Sequence, residues 1–447
     1  MLESLLEKSI NRIDSIKKYY LCQRDSILQN MDVGFDRNIL GFEIKEYLQY
    51  MVTGKALIDI PNIKEKIESY IEIDSIAEDK TFVKFHYIDL EKLKNRNIEL
   101  NPEKAKREFL KCFDMPVLLE QSIIIMLVIR FEEIISHLFD YLINKYQNAY
   151  LPEKRIKYSV IMETGIENIT KLFVKQEVES IMRENISCWL KLIADKHTID
   201  FNILDDYLDE YYELYYRRNI IVHNNGIVND DYIKGVKEGF RRGLKLGDKA
   251  VLTAEYLENA ISLSSIIIYG IFISLLKIMD NGKDFIGVLF TLGFEHMLDS
   301  EWEIGKFIFR YLSRYKDQTS IEKTQSLINY WICIKNRDGL DNIYRDVENA
   351  DFTAMQNEFK IAKLMVLDNF DEANELIERS FPIFNASSFE TWPLFIQYRQ
   401  SPQYDILRES HKDFFKLKQV DSSDNLENLE LLDIKEYTDK SKGENNL

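Results

Sequence analysis

Apolar residues recur at three- and four-residue intervals from Val117 to Gln147. Ile124, Val128, Phe131, Ile135, Leu138 and Leu142 fall on one stripe of a 3.6-residue period. A pattern of that length predicts a helix, and Pro116 stands where it would open one. Only 16 glycines and 7 prolines interrupt the 447 residues, so such runs can be long and the chain is expected to be mainly α. Further helical stretches cover Thr164 to Glu184, Ile186 to Lys196, Ile203 to His223 and Thr253 to Ile278. Long helices joined by short links predict an up-and-down helical bundle over residues 115–280.

The flanks read differently. Residues 1–114 form a small α(+β) region of no assigned role, with helices expected over Met1 to Asn30 and Ile39 to Val52. Between Tyr70 and Leu90, Phe82, Lys84 and His86 alternate with Val83, Phe85 and Tyr87, the period of a short strand pair. His86 and the acids near it read as solvated or structural. Asn101-Pro102 then carries the cap and first-turn proline of a helix. Residues 283–418 repeat weakly. Trp302-x-x-Gly305 and Phe370-x-x-Ala373 lie 68 residues apart, twice the 34-residue tetratricopeptide period, and Gly339-Leu340-Asp341-Asn342 is expected to start a similar helix. Stacked α-helical hairpins fit that spacing. Residues 419–447 are acidic and expected to be disordered.

The net charge of −17 argues against a general nucleic-acid coat, because phosphate binding needs cations. Any RNA contact needs a local basic patch. Cys22, Cys112, Cys188 and Cys333 are widely separated, so no metal site, no cofactor and no disulfide framework is expected, and a reducing cytoplasm is the simplest compartment. The start of the chain lacks the pattern of a signal peptide. Ala260–Leu276 carries no charge and is near the lower length limit of a membrane span. Its four serines and ordinary flanks favour a buried core helix, and no membrane association is expected.

Chemistry concentrates in Tyr215-Tyr216-Arg217-Arg218-Asn219-Ile220-Ile221-Val222-His223-Asn224-Asn225-Gly226. Asp205 to Val222 has no Gly or Pro, and Asn and Gly after His223 suit a left-handed helix end. Asn219 and His223 share a face, whereas Arg218 lies about 140° round the helix from His223. A His at a helix C-terminus can move protons near neutrality. An Arg offers a planar fork to phosphate oxygens. These groups fit metal-free RNA cleavage: the ribose 2′-OH attacks the adjacent phosphorus, His moves a proton, and Arg meets the developing charge. The loop that follows is the most basic part of the chain, and Arg217, Lys237, Arg241, Arg242 and Lys245 are candidate RNA contacts.

Each residue also has a structural reading. His223 can cap its helix, and Arg217 and Arg218 can pair with Asp205, Asp206 or Glu213. Tyr211, Tyr212, Tyr215 and Tyr216 read as packing residues, and His137 as a core histidine. Glu132 and Glu133 can orient the motif Arg or form structural ion pairs.

Arg218-Asn219-Ile220-Ile221-Val222-His223 resembles the Arg-x4–6-His motif of the HEPN superfamily, including its common Asn after the Arg. The resemblance covers residues 115–280. It implies a helical bundle that pairs with a second copy, a homodimeric composite site for RNA, Arg218 and His223 as catalytic residues, and Asn219 as polar support. Some members carry a Tyr two residues after the His as a modification site; here that position is Asn225. By analogy the chain would be a bacterial defence or toxin ribonuclease, with a regulatory protein partner on the C-terminal helical repeats. The alternative is a non-catalytic HEPN-like scaffold or protein-binding module.

Overall fold

The computed structural model describes residues 2–77, 83–151, 157, 161, 165–279 and 282–416. Phe82, Thr164 and the acidic tail lie outside these. The fold is mainly α, with 76% helix against 3% strand, as the breaker-poor sequence predicts. The chain packs as two units, Met1–Val288 and Leu289–Leu447.

The first unit opens on α1 (Leu2–Thr53), one helix where the sequence suggested two. Leu6, Ile10, Ile13, Ile16 and Tyr20 are buried along its first half, and Leu40, Ile44 and Tyr47 along its second. One helix therefore serves two cores. The second core is closed by α2 (Ile60–Glu68), the antiparallel strands β1 (Ile71–Ile76) and β2 (Val83–Tyr87), and α3 (Leu90–Asn95). Ile60, Ile67, Ile71 and Leu93 pack there against Leu40, Ile44 and Tyr47. Glu72 pairs with His86 across the strands, and the exposed imidazole meets Asp74 at 2.8 Å and Glu72 at 3.5 Å. That is the structural role the sequence suggested.

Helix α4 (Pro102–Lys145) begins where Asn101 accepts a hydrogen bond from the Lys104 amide at 3.1 Å. The expected opening at Pro116 is corrected: the helix runs straight through it, and the 114/115 boundary falls inside α4. Pro116 cannot donate to the carbonyl of Cys112, a loss of about 3 kcal/mol in an isolated helix. Packing on both sides outweighs it, with Ala105 and Phe109 buried before the proline and Leu119, Ile123, Ile124, Leu127 and Val128 after it. Phe109 stacks on Phe42 of α1 at 4.4 Å. Where the helices cross, a Cβ on Gly41 would lie 2.4 Å from the Ala105 Cβ and 2.9 Å from the Glu99 carbonyl oxygen. Gly41→Ala is expected to cost roughly 1–3 kcal/mol by forcing the helices apart. Urea denaturation reads this as a lower midpoint at unchanged m; an unchanged midpoint would show a crossing loose enough to absorb a methyl group.

Helices α5 (Ile169–Ile181), α6 (Ile186–His197), α7 (Asp205–Asn224), α8 (Asp230–Gly235) and α9 (Ala254–Ser274) complete the unit. The Trp189 indole of α6 donates to the Ile181 carbonyl at the end of α5, 2.8 Å away. α9 is the central helix, packed on α1, α4 and α7. Its buried serines return their hydroxyls to the helix: Ser264 donates to the Ala260 carbonyl and Ser265 to that of Ile261. Among the described residues, two helices, Pro102–Lys145 and Ala254–Ile278, are long and apolar enough to cross a bilayer. The second is 83% buried within the protein over its most apolar stretch, as a core helix should be.

α10 (Gly282–Leu298) contains the division between units. The second unit continues with α11 (Trp302–Leu312), α12 (Ser320–Asp338), α13 (Tyr344–Asn349), α14 (Asn357–Val366), α15 (Phe370–Arg379), α16 (Ala386–Thr391), α17 (Pro402–Ser410) and α18 (Lys412–Lys416). α11 packs on α12, and α14 on α15. The small residues of the two spaced motifs sit at tight contacts. A Cβ on Gly305 would lie 2.9 Å from Cys333 Sγ, and Ala373 is fully buried. Gly339 does not start a third such helix. At φ 92° it ends α12, and a 3-10 turn, Leu340–Asn342, leads into the six residues of α13. Glycine after a basic last turn is a stop signal, and that role prevails here.

Candidate functional site

α7 carries the motif, and its end forms as the sequence implies. Asn225 (φ 50°) and Gly226 (φ 71°) are left-handed, and the Gly226 amide donates back to the Ile220 carbonyl at 2.9 Å. The Asn225 amide donates to the same carbonyl, and this closure fixes where the last turn stops. The chain then returns beside itself. Val228 and Asp248, Gly247 and Val228, and Ala250 and Gly226 are joined by amide-to-carbonyl bonds of 2.8–2.9 Å. The Lys249 ammonium donates to the Asn225 carbonyl just past His223. Ile220, Val228, Tyr232, Val236 and Ala250 form the small core beneath.

Arg217 and Arg218, neighbours in sequence, have separate fates. Arg217 is 2% exposed. Its Nε donates to Glu213 at 2.7 Å, its Nη1 donates to the Val251 carbonyl at 3.3 Å, and its guanidinium lies 4.4 Å from the Tyr256 ring centroid. Glu213 also accepts from the Tyr232 hydroxyl at 2.6 Å and the Tyr256 hydroxyl at 2.9 Å. Burial first, and Glu213 second, push the titration of both tyrosines upward, so they remain neutral donors. This network ties α7 to α8 and α9 and holds the intervening loop. The RNA-contact reading of Arg217 is thereby corrected: with one carboxylate and one ring in reach, its guanidinium is turned inward.

Arg218 is half-buried on the adjoining face. Its Nη1 donates to Asn219 Oδ1 at 3.0 Å, and its Nε is buried with no partner among the described residues. Glu132 of α4 lies within its electrostatic reach: burial raises the Glu132 pKa and Arg218 lowers it. Tyr215 feels the same pair, its pKa raised by burial and by Glu132 and lowered by Arg218. Buried Tyr211 also senses Glu132, and its hydroxyl has no partner among the described residues. Glu133 belongs elsewhere. It pairs with Arg130 at 2.7 Å and Arg12 at 2.9 Å on the outer surface. His137 is exposed rather than a core residue, since its position on α4 turns away from the buried stripe.

Glu132→Gln separates stability from site geometry. Burial raises the folded pKa of Glu132, so its charged form opposes folding above that pKa and its neutral form does not. The variant is expected to melt about 1–2 °C higher at pH 7, with the gain fading as pH falls through the raised folded pKa and gone by about pH 4. Calorimetry across that range checks the sign; a variant less stable at pH 7 would show that attraction to Arg218 dominates.

His223 is exposed in the last turn of α7 and makes no side-chain hydrogen bond to the described residues. Asn224 beside it is committed to the turn, donating to the Ile227 carbonyl at 2.7 Å. The structure thus joins Arg218 to Asn219 and leaves His223 one turn on, facing solvent. Of the basic-loop candidates, Arg241 donates to the carbonyls of Ile233 (2.6 Å) and Val236 (2.9 Å). Lys237 pairs with Asp209 and Arg242 with Glu210, at 2.7 and 2.8 Å. Lys245 is exposed, and its backbone amide donates to Asp248. Glu213 appeared in the sequence only as a possible partner of the arginines. Tyr232 and Tyr256 gave no signal, because their roles depend on a loop closing over α7. No family model, no curated protein and no solved structure matches the chain.

Proposed function

We propose that the chain is a metal-independent endoribonuclease of the HEPN type, with Arg218, Asn219 and His223 as its reactive set. The supporting observation is the division of labour on α7. Arg217 is consumed by a buried network, whereas His223 makes no side-chain hydrogen bond among the described residues and Arg218 is held by Asn219 with donors to spare. A residue that only capped the helix would bond to it, and here the Gly226 amide closes the end instead.

In the reaction, the ribose 2′-OH attacks phosphorus and the bond to the 5′ oxygen breaks. His223 moves the proton, and the Arg218 fork meets charge on the non-bridging oxygens. Asn219 orients the guanidinium. Val222, Ile227 and Val251 are 44%, 39% and 70% exposed beside the motif, an apolar rim suited to a second copy. A two-fold pair of α7 ends would supply two imidazoles, one for each proton transfer. A role in bacterial defence or toxicity in the cytoplasm, and a protein partner on the helical hairpins of the second unit, belong to the same reading.

A non-catalytic scaffold is the second reading, favoured by the pairing of Lys237 and Arg242 with carboxylates. The deciding experiment incubates the protein with single-stranded RNA in EDTA and identifies the new ends. A 2′,3′-cyclic phosphate with a 5′-OH is expected; a 3′-OH product or strict Mg²⁺ dependence overturns the mechanism.

A further inference from the structure

Resting on the ribonuclease reading, we infer that Asp209 and Glu210 occupy, on the loop beside α7, the places of RNA phosphates, so that the strand-binding face is latched by the protein's own carboxylates. The two acids are adjacent on the second turn of α7 and reach across to cations 28 and 32 residues away, Lys237 and Arg242. A carboxylate and a phosphate present the same kind of anionic oxygen to an ammonium or guanidinium. Both pairs are open to water, with side-chain exposures of 71% and 25% for Lys237–Asp209, and 40% and 37% for Arg242–Glu210. Exposed pairs of this kind are weak, so an arriving phosphate can displace them.

The loop is built for such an exchange without unfolding. Its base is fixed by Tyr232 on Glu213, by the bridge between Ile227 and Lys249, and by Arg241 on two carbonyls. Between those anchors, Gly239, Gly243 and Gly247 have open space where a side chain would stand. Lys234 and Lys245 are exposed and enter no ion pair among the described residues, and Lys249 sits at the His223 end of α7. From Glu210 to His223 the helix rises about 20 Å. Cations thus run beside α7 from its second turn to its catalytic end. In a chain of net charge −17, occupied cations would disfavour chance polyanion binding, and a well-placed strand would exchange carboxylate for phosphate.

The test measures affinity for a fluorescent single-stranded RNA oligonucleotide by anisotropy over a KCl series, in full-length His223→Ala protein so that the RNA stays intact. Asp209→Asn with Glu210→Gln is compared with the parent and with Glu184→Gln plus Asp195→Asn, an equal charge change on exposed residues that make no ion pair among those described. The latch variant is expected to bind roughly 2- to 30-fold tighter near 0.15 M salt, the range two exposed pairs allow. Its slope of log affinity against log salt should steepen by up to about 1.4, because the freed cations now release phosphate counterions without surrendering a carboxylate. Lys237→Gln with Arg242→Gln should weaken binding. RNA bound and cleaved by wild type, but with the latch variant indistinguishable from the control, overturns the latch alone. Absence of both cleavage and binding in every form overturns the ribonuclease reading with it.

Discussion

His223→Ala is expected to lower RNA cleavage by about 10²- to 10⁴-fold, the usual contribution of a positioned acid or base, and to leave the melting temperature unchanged. The unchanged melting temperature follows from the structure. The imidazole is exposed and bonds to nothing among the described residues, and the helix end is closed by backbone. Arg218→Ala should be comparably inactive, and Arg218→Lys should rescue little, because an ammonium lacks the planar fork and cannot both hold Asn219 and face a phosphate. Single-turnover rates with RNA in EDTA, beside thermal melts of the same preparations, decide the matter. Cleavage by His223→Ala at the wild-type rate would remove this residue from the chemistry.

Glu213→Ala should have the largest effect on stability, a loss of about 3–5 kcal/mol, the scale for removing one member of a buried ion pair. Three donors converge on that carboxylate, from Arg217, Tyr232 and Tyr256, and all three residues are buried. Deleting it strands an arginine charge and two hydroxyls away from water. At about 2–4 °C per kcal/mol, the first unit would melt some 6–20 °C lower. Hydrogen exchange should speed up in residues 226–253, because the network holds that loop to α7. A melting temperature within 2 °C of wild type would show that water reaches these groups readily. Glu213→Gln, which retains an acceptor for the hydroxyls, should fall between.

Periodicity made most of the fold legible. The helices around the motif lie within a few residues of where the apolar spacing put them, and the strand alternation before Leu90 became β2. The errors share a physical cause. Pro102 and Pro116 carry the same local signal for a helix start, and only the Asn101 side chain and the packing of Phe109 on Phe42 show which one opens α4. The site was legible where it is local. Helix spacing placed Asn219 and His223 on one face and correctly ended the helix after them. It could not tell Arg217 from Arg218, because their fates are decided by Tyr232 and Tyr256, which arrive from other elements. It also read the loop cations as free, since Asp209 and Glu210 become their partners only when the loop folds back over α7.

The passage of α4 through Pro116 has a practical consequence for how this protein can be cut. α4 is one shaft about 66 Å long that carries both Phe109, stacked on Phe42 of α1, and Glu132, whose pKa Arg218 lowers. A truncation at residue 114 would begin the polypeptide in mid-helix and strip α1 from the hydrophobic side of the bundle. The amino-terminal quarter is therefore not a separable module, because α1 and α4 both run from it into the bundle and pack along each other.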